Sequence, residues 1–428
     1  MAKSLALIGA GPKSMAIAAK TAALKACGYS VPELFVIEPS GVGAHWTGLH
    51  GYTDGTHVLG TAPEKDVGFP YNSGLFESVV DQYMLANFSF PAFRIAEWQS
   101  TAMRDYGDEI DRGTKGETLH SKWARYLSWV KDNAKPRMIE GRIVALAVDG
   151  HSWRITYRPV AGPDGNIVVD GVVFTGPGPA KKLPGQPPNQ HSTITDGVDF
   201  WQRLQEFEDL DPDQEPIGVI GSGETAASVV VALAGILKNP VPIRIINRQG
   251  AIFSRGEGYF ENRLYTEPEN WEALPFVERR EIIRRTDRGV ISQQAISFIN
   301  QLRNVDHWRL SVNNLVIDTT YDPVGRPWVF GEFEVELQRA VVAVGFDPWW
   351  FVSLVQDKLL KGPLLQEAYK NALVENIQHD LSFKSDQLPT AKLHVPMLAG
   401  LAQGPGFPNL SCLGHLADRI LDSYVSVT

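Results

Sequence analysis

The chain has 428 residues, 43% hydrophobic and 21% charged, with a formal net charge of −9. This length predicts two or three domains, and the composition is that of a globular protein rather than a disordered one. The negative charge disfavours nucleic acid and anionic membrane surfaces as partners, because both require a basic face. Apolar runs are too short for a membrane helix, and the apolar start predicts a strand rather than a signal peptide, so a cytoplasmic protein is expected.

The chain begins with a strand, a glycine-rich turn and a helix, an arrangement that binds dinucleotides. Strands are predicted over Ser4–Ile8 and Glu33–Glu38, with a helix over Lys13–Cys27 between them. Glycine lets the backbone approach a pyrophosphate, which rests on the helix N-terminus. Glu38 is predicted to bind an adenosine ribose; a solvated turn carboxylate is the alternative. The other predicted contacts are Gly9, Gly11, Pro12 and Ser14, with serine replacing the last glycine of the fingerprint.

A long loop is predicted over residues 40–75, which are rich in glycine, threonine, histidine and proline. Loops of this length inside a compact domain usually serve function. Apolar side chains at three- and four-residue spacing then predict a helix over Ser121–Lys135. The acidic, proline-containing stretch Asp209–Pro216 is the best candidate for a linker between domains. Strands are predicted over Arg137–Val148, Ser152–Tyr157 and Val172–Gly176.

A second strand–turn–helix unit follows this stretch. Strands are predicted over Ile217–Ile220 and Ile243–Asn247, with a helix over Glu224–Leu237 between them. Two such units in one chain indicate two dinucleotides, a flavin and a nicotinamide. The predicted contacts of this second unit are Gly221, Ser222, Gly223, Glu224 and Thr225.

Arg248 indicates which nicotinamide is bound, because it stands where an NAD-binding unit carries an acid. An acid would repel the 2′-phosphate of NADP, whereas arginine can pair with it. We therefore predict NADPH in the second unit and FAD in the first; a solvated arginine is the alternative.

The chain beyond Arg248 contains the segment that is expected at the junction between the cofactors. Gly256–Pro268 is aromatic and polar, and it is too irregular for a plain helix; it is expected either at this junction or as a surface loop. Residues 276–303 are predicted to be largely helical, and Ala340–Gly345 to be a buried strand. A glycine- and proline-rich loop over Gly400–Asn409 precedes a final helix that starts near Ser411.

These elements predict an α/β protein with two Rossmann-like, dinucleotide-binding domains. The FAD-binding domain is expected to be discontinuous, over residues 1–208 and 338–428. The NADPH-binding domain is inserted over residues 209–337, with substrate-contacting segments at about 254–300.

The cysteines and histidines argue against two other classes of protein. Cys27 and Cys412 are far apart in the sequence and form no CxxC pair, which disfavours a flavin-dependent disulfide reductase. The ten histidines show no ligand spacing, so no metal site is expected.

Six sequence blocks resemble the flavin-dependent N-hydroxylating monooxygenases of siderophore biosynthesis, above all the mycobactin/nocobactin-type lysine N6-hydroxylases. The resemblance covers nearly the whole chain. It implies FAD, NADPH and O2, and hydroxylation of the side-chain amine of L-lysine through a C4a-hydroperoxyflavin. The blocks are LALIGAGPKSMAIAAK, TDGTHVLGTAPEKDVGFPY, GSGETAAS, FSRGEGYFENRLYTEP, RTDRGVIS and LAQGPGFPNLSCLG.

The resemblance also implies roles for individual residues. Lys65 and Asn262 match family residues that hold the amino-acid substrate, and an ammonium and an amide suit a zwitterion. Ser411 matches a serine near substrate and flavin; a plain helix N-cap is the alternative. His45 and Trp46 match a pair on the flavin side.

Asp287 departs from the ornithine-type members, which have asparagine in the equivalent block. Its carboxylate is expected either to pair with the substrate's α-ammonium or to pair with Arg288. The reacting amine must be neutral, which burial in an apolar pocket favours, so no strong carboxylate is expected beside that nitrogen.

Several alternatives stay open at this stage. Ornithine or acyl-lysine could replace lysine, because one methylene changes binding by only ~1–3 kcal/mol. A Baeyer–Villiger monooxygenase uses the same cofactors, but Ala180 stands where its fingerprint, here starting at Phe174 and Gly176, requires histidine. A nucleotide-binding redox sensor without turnover is the non-enzymatic alternative. A homo-oligomer is one expectation, because relatives are often dimers or tetramers.

Overall fold

The computed structural model describes residues 3–50, 53–72, 74–101, 118–183, 186, 193–247, 251–256, 258–287, 289–303, 310–314, 328–330, 333–383 and 391–427. In chain order, the elements up to residue 183 are β1 Ser4–Ile8, α1 Pro12–Ala26, β2 Tyr29–Ser30, β3 Glu33–Glu38, α2 Ser78–Phe88, α3 Phe90–Thr101, α4 His120–Ala134, β4 Arg137–Asp149, β5 Ser152–Pro159, β6 Gly165–Val169 and β7 Gly171–Phe174. From residue 193 to 342 they are β8 Ile194–Asp196, α5 Gln205–Glu208, β9 Ile217–Ile220, α6 Glu224–Ile236, β10 Ile243–Asn247, β11 Phe253–Ser254, α7 Tyr259–Thr266, α8 Phe276–Thr286, β12 Val290–Ile291, α9 Gln293–Arg303, β13 Leu310–Asn314, β14 Trp328–Phe330, β15 Phe333–Val335 and β16 Arg339–Val342. The remaining elements are α10 Lys358–Leu364, α11 Glu367–Glu375, β17 Lys392–His394, α12 Gly400–Gln403, α13 Leu413–Leu421 and β18 Ser426–Val427.

The first domain is built on a seven-stranded sheet with the strand order β17-β7-β1-β3-β4-β5-β6. The strands from β17 to β4 are parallel, and β5 and β6 extend the sheet as antiparallel hairpins. After Ser4, the residues of β1 are apolar and buried, as expected for a strand in the interior of a parallel sheet. Helix α1 packs against both α4 and α13, which forms the main core.

The second domain is built on a parallel five-stranded sheet with the order β13-β10-β9-β16-β8. This sheet includes β8 and β16, which the sequence analysis assigned to the FAD-binding domain. The expected boundaries at residues 209 and 337 are therefore wrong, and Asp209–Pro216 joins α5 to β9 inside the second domain instead of linking the two domains. The three residues of β8 carry too little periodicity to show which sheet they join.

Two segments that lead from one sheet to the other, at residues 179–181 and 345–347, run side by side. Lys181 N–H donates to Gly345 O at 2.9 Å, and Asp347 N–H donates to Pro179 O at 2.9 Å. The two-domain α/β fold with an inserted second domain is therefore confirmed. The two segments that connect its domains are hydrogen-bonded to each other. None of the helices among the described residues is long and apolar enough to cross a membrane.

Candidate functional site

The first glycine turn lies at the carboxyl end of β1, in the middle of the seven-stranded sheet. Gly9 has a φ of +97°, which strains any other residue, and its N–H donates to Ile37 O at 2.9 Å. Gly11 precedes α1, and no described side chain caps the helix there. No described atom lies within 4 Å of a Cβ built on Gly11. The N-terminus of α1, with Pro12 as its first residue, thus offers free N–H groups and open space for a phosphate.

Ser14 makes hydrogen bonds at the first glycine turn. Its hydroxyl donates to Gly9 O and lies 3.1 Å from Thr175 Oγ1. The Thr175 hydroxyl in turn donates to Ile8 O at 2.8 Å. Ser14 therefore ties the glycine turn to the end of β7.

Glu38 lies beside the same turn, although it is distant in sequence. Its carboxylate accepts the Ala10 N–H at 3.2 Å and the Ser40 N–H at 2.8 Å. The position agrees with the fingerprint, and the ribose contact stays a prediction.

The second glycine turn repeats the first at the end of β9. Gly221 has a φ of +136°, and a Cβ there would collide with Ala343 O. No described atom lies within 4 Å of a Cβ built on Gly223, which precedes α6 without a side-chain cap. Ser222 and Thr225 lie on either side of this helix start.

Glu224, the first residue of α6, has contacts inside its own domain. Its Oε1 accepts the Ser292 N–H at 2.8 Å and lies 3.8 Å from the Arg255 guanidinium. The predicted phosphate partner Arg248 lies outside the described residues. The nucleotide contacts of both side chains stay predictions.

His45 and Trp46 lie in a short 3-10 turn that is attached to the first glycine turn. Gly43 N–H donates to Ala10 O at 3.0 Å, immediately before this turn. His45 Nδ1 lies 2.9 Å from His50 O, and burial lowers the pKa of the ring. The two residues are therefore near the predicted flavin site, which agrees with the resemblance.

Lys65 and Asn262 meet across the two domains, 197 residues apart in sequence. The Lys65 ammonium donates to Asn262 Oδ1 at 3.2 Å. Asn262 belongs to α7, an eight-residue helix, so the expectation that 256–268 is too irregular for a helix is wrong. The pair between Arg263 and Glu267, at 2.8 Å and four residues apart, supports this helix.

Asp287 directly follows α8 and lies at the wall of a cavity of about 310 Å³. Arg280 and Arg284 also line this cavity, and its apolar wall is formed by Ile283, Val374, Met397, Gly400, Leu401, Pro405 and Pro408. Tyr265 on α7 donates its hydroxyl to Thr286 Oγ1 at 2.7 Å, next to Asp287. Burial, together with the charge of Asp287, raises the pKa of Tyr265 to about 12. The contact joins the helix of Asn262 to the helix of Asp287, and Arg288 lies outside the described residues.

Ser411 lies in the loop before the last helix, but it does not cap that helix. The cap of α13 is Cys412, and Ser411 donates its backbone N–H to Asn409 Oδ1 at 2.8 Å. The same loop packs on α7, because a Cβ on Gly406 would collide with Tyr265 O. The loop of Ser411 therefore touches the helix that carries Asn262.

Lys13 is a site residue that the sequence analysis missed. It is only 6% exposed, and its ammonium donates to Pro408 O at 2.8 Å. Burial lowers its pKa to about 8. The contact fastens the first turn of α1 to the loop of Ser411, and the place of Lys13 inside the first glycine fingerprint is the one signal that could have drawn attention to it.

The long loop over 40–75 reaches the second domain through His57. Its Nδ1 lies 3.1 Å from Asp54 Oδ1, and its Nε2 lies 3.1 Å from Ser228 O on α6. The ring also packs edge-on against Trp201, with centroids 5.2 Å apart. The expectation that this loop is more than a connection is therefore supported by direct contacts between the domains.

The arrangement as a whole places an ammonium and an amide where the two domains meet, with a carboxylate on the next helix. Such a set suits the two ends of an amino acid, because the ammonium and amide bind a carboxylate and the carboxylate binds an α-ammonium.

Comparison with known proteins gives a consistent result, although no family model matches the chain. It is 39% identical to a Mycobacterium tuberculosis protein named L-lysine N6-monooxygenase MbtG, over 98% of this chain and 95% of that protein. The solved lysine monooxygenase NbtG from Nocardia farcinica is similar, with a TM-score of 0.78 and 31% identity over 98% of both chains. The Kutzneria ornithine N-hydroxylase KtzI, solved with reduced FAD, NADP⁺ and L-ornithine, shares the fold, with a TM-score of 0.70 and 14% identity over 99% of both chains.

Proposed function

Because the chain belongs to the L-lysine N6-monooxygenase family, we propose that it hydroxylates the side-chain amine of L-lysine with FAD, NADPH and O2. The product would be a hydroxylamine for a hydroxamate siderophore. The hydrogen bond between Lys65 and Asn262 carries the proposal, because it brings together two groups that suit an amino acid from segments far apart in the sequence.

Both glycine turns fit a dinucleotide. The helix starts at Gly11 and Gly223 are uncapped by described side chains and open, as a pyrophosphate requires. Reduced FAD, when bound, activates O2 so that one oxygen atom can be transferred to an amine nitrogen. Gly9, Gly11, Pro12, Ser14 and Glu38 would hold FAD, with His45 and Trp46 beside it, and Gly221, Ser222, Gly223, Glu224, Thr225 and Arg248 would hold NADPH.

The chain's own residues would orient the substrate. Lys65 and Asn262 bind the substrate carboxylate, Asp287 binds its α-ammonium, and Ser411 lines the path to the flavin. The reacting amine, with a reference pKa of ~10.4, must lose a proton, and a site closed to water favours its neutral form. A carboxylate at the far end is compatible with this requirement.

We expect the purified protein to take up FAD and to consume NADPH in response to lysine. The test is a panel of L-lysine, L-ornithine, cadaverine and Nε-acetyl-lysine, with NADPH oxidation, hydroxylamine and hydrogen peroxide measured in the same samples. Hydroxylamine formed from lysine in preference to ornithine would support the proposal. FAD uptake without amine-dependent NADPH oxidation would indicate a redox sensor, and a protein that takes up no FAD would refute the cofactor assignment.

Arg248→Ala is expected to weaken NADPH binding by ~1–3 kcal/mol and to leave NADH binding nearly unchanged, because only NADPH carries the 2′-phosphate. Steady-state KM values for the two nucleotides give this comparison directly. Arg154→Ala is a matched control, because that arginine is half exposed in the first domain. Equal losses for NADPH and NADH would remove the phosphate role of Arg248.

A further inference from the structure

Asp66 is a buried carboxylate that the proposed function does not use. It follows Lys65 directly and is only 1% exposed. Its Oδ1 accepts the Tyr71 hydroxyl at 2.6 Å and the Gly68 N–H at 3.1 Å, and its Oδ2 accepts the Phe90 N–H at 2.7 Å. Three donors thus point at one carboxylate inside the protein. Burying a carboxylate costs free energy, and hydrogen bonds of this kind offset that cost.

The first two of these bonds close a compact turn over residues 65–71. Tyr71 N–H donates to Gly68 O at 3.0 Å, and Phe69 N–H donates to Asp66 O at 3.2 Å. The Tyr71 ring lies directly over Gly68, where a Cβ would collide with it. The turn therefore has little room to adopt another shape.

Hydrogen bonds also join this turn to two helices, α3 and α13. The bond to Phe90 joins it to the start of α3, in the core of the first domain. On the other side, Gly414 N–H on α13 donates to Phe69 O at 2.7 Å, and a Cβ on Gly414 would collide with Gly68 O. The turn is thus held between α3 and α13, the helix that follows Ser411.

Lys65 enters this turn from the loop before it. Its N–H donates to Ala62 O at 3.0 Å, and its ammonium reaches across to Asn262. The backbone of Lys65, which sets where its side chain starts, is therefore held between Ala62 on one side and the turn that Asp66 closes on the other.

We propose that Asp66 is a positioning residue of the active site, which fixes the 65–71 turn so that the Lys65 ammonium is held toward Asn262 and the substrate carboxylate. The contact between Lys65 and the substrate carboxylate rests on the proposed function, whereas the orientation of Lys65 toward Asn262 does not.

A carboxylate suits this role better than an amide. A carboxylate only accepts hydrogen bonds, and Asp66 faces two N–H groups and one hydroxyl. Asparagine would direct its NH2 group at one of these donors and leave a buried donor without an acceptor. Burial raises the pKa of Asp66 to about 6, an effect that its hydrogen bonds to Tyr71 and Phe90 oppose.

The test compares Asp66→Asn and Tyr71→Phe with the wild-type holoenzyme. Asp132→Asn is the matched control, because that carboxylate is 67% exposed on α4. We expect the KM for lysine to rise about tenfold in Asp66→Asn and less in Tyr71→Phe, with FAD affinity, NADPH KM and kcat little changed. A merely structural role would instead lower FAD content and kcat together.

A second measurement does not depend on turnover. Lys65 is labelled with an amine-reactive ester, and the rate is followed by mass spectrometry. We expect faster labelling in Asp66→Asn and Tyr71→Phe, because the released ammonium leaves Asn262. If Asp66→Asn does not fold, Tyr71→Phe gives the answer.

The outcomes separate the two proposals. Faster labelling with a raised lysine KM supports both. Faster labelling in a protein that does not respond to lysine supports the positioning of Lys65 and refutes the proposed function. Unchanged labelling and unchanged KM in both variants would overturn the role of Asp66.

Discussion

Replacing Lys65 by methionine is expected to lower lysine-dependent hydroxylamine formation by about 10- to 100-fold, as for loss of one charged hydrogen bond to the substrate. Methionine keeps the length and the apolar stem of the side chain but removes the ammonium that donates to Asn262. FAD binding and the slow oxidation of NADPH in the absence of lysine should change little, because the fingerprint residues are untouched.

The measurement is kcat/KM for lysine, with hydroxylamine and hydrogen peroxide quantified in the same samples. Lys25→Met serves as the control, because Lys25 is exposed in the last turn of α1. Lys65→Arg keeps the charge but changes its geometry, and it should recover part of the activity. A normal hydroxylamine yield from Lys65→Met would show that the role implied by the resemblance is wrong.

Asn262 gives an independent check of the same pair. If the two side chains bind one carboxylate together, Asn262→Ala in a Lys65→Met background should cost much less than Asn262→Ala alone. Strictly additive losses would mean that the two residues act at separate places.

Replacing Lys20 by methionine is expected to destabilise the protein by about 3–5 kcal/mol, the cost of leaving buried carboxylates without their counter-ion. Lys20 is 1% exposed on α1, and its ammonium lies 2.8 Å from Asp81 on α2 and 2.9 Å from Asp418 on α13. Burial alone would lower the pKa of Lys20, but attraction by Asp418 and Asp81 raises it above its ordinary value.

The pH dependence of the stability that Lys20 contributes follows from its raised pKa. A cation with a raised pKa contributes its full stability below its unfolded-state value of about 10.5, and this contribution is lost only as the pH rises through the folded-state value. Lys20 is therefore fully charged at neutral pH, and the loss in Lys20→Met should be measurable there by urea unfolding. Lys25→Met should change the unfolding free energy by less than about 0.5 kcal/mol.

A further variant distinguishes charge from packing. Asp81→Asn and Asp418→Asn, added to Lys20→Met, remove the unpaired charges and should restore part of the stability. If the triple variant were no more stable than Lys20→Met alone, the loss would come from packing of the long side chain instead.

The sequence alone determined the two nucleotide units, because their signals are local. β3, β9 and β10 have the predicted bounds, and α1 and α6 differ from theirs by one residue at one or both ends. Short apolar runs, a glycine at positive φ and a helix start are each encoded within about ten neighbouring residues. The resemblance supplied the family and the residues Lys65 and Asn262, which the fold then brought into contact.

Only the tertiary structure decided which segments belong together. Only the pairing of β16 with β9, and of β8 with β16, shows that these two strands join the second sheet. Buried polar groups are a stronger case, because a charge inside a protein is tolerated only when partners distant in sequence satisfy it. Lys13, Asp66 and Lys20 therefore looked like ordinary polar residues in the sequence, and their roles depend on Pro408, Phe90 and Asp418, which the chain brings to them only when it folds.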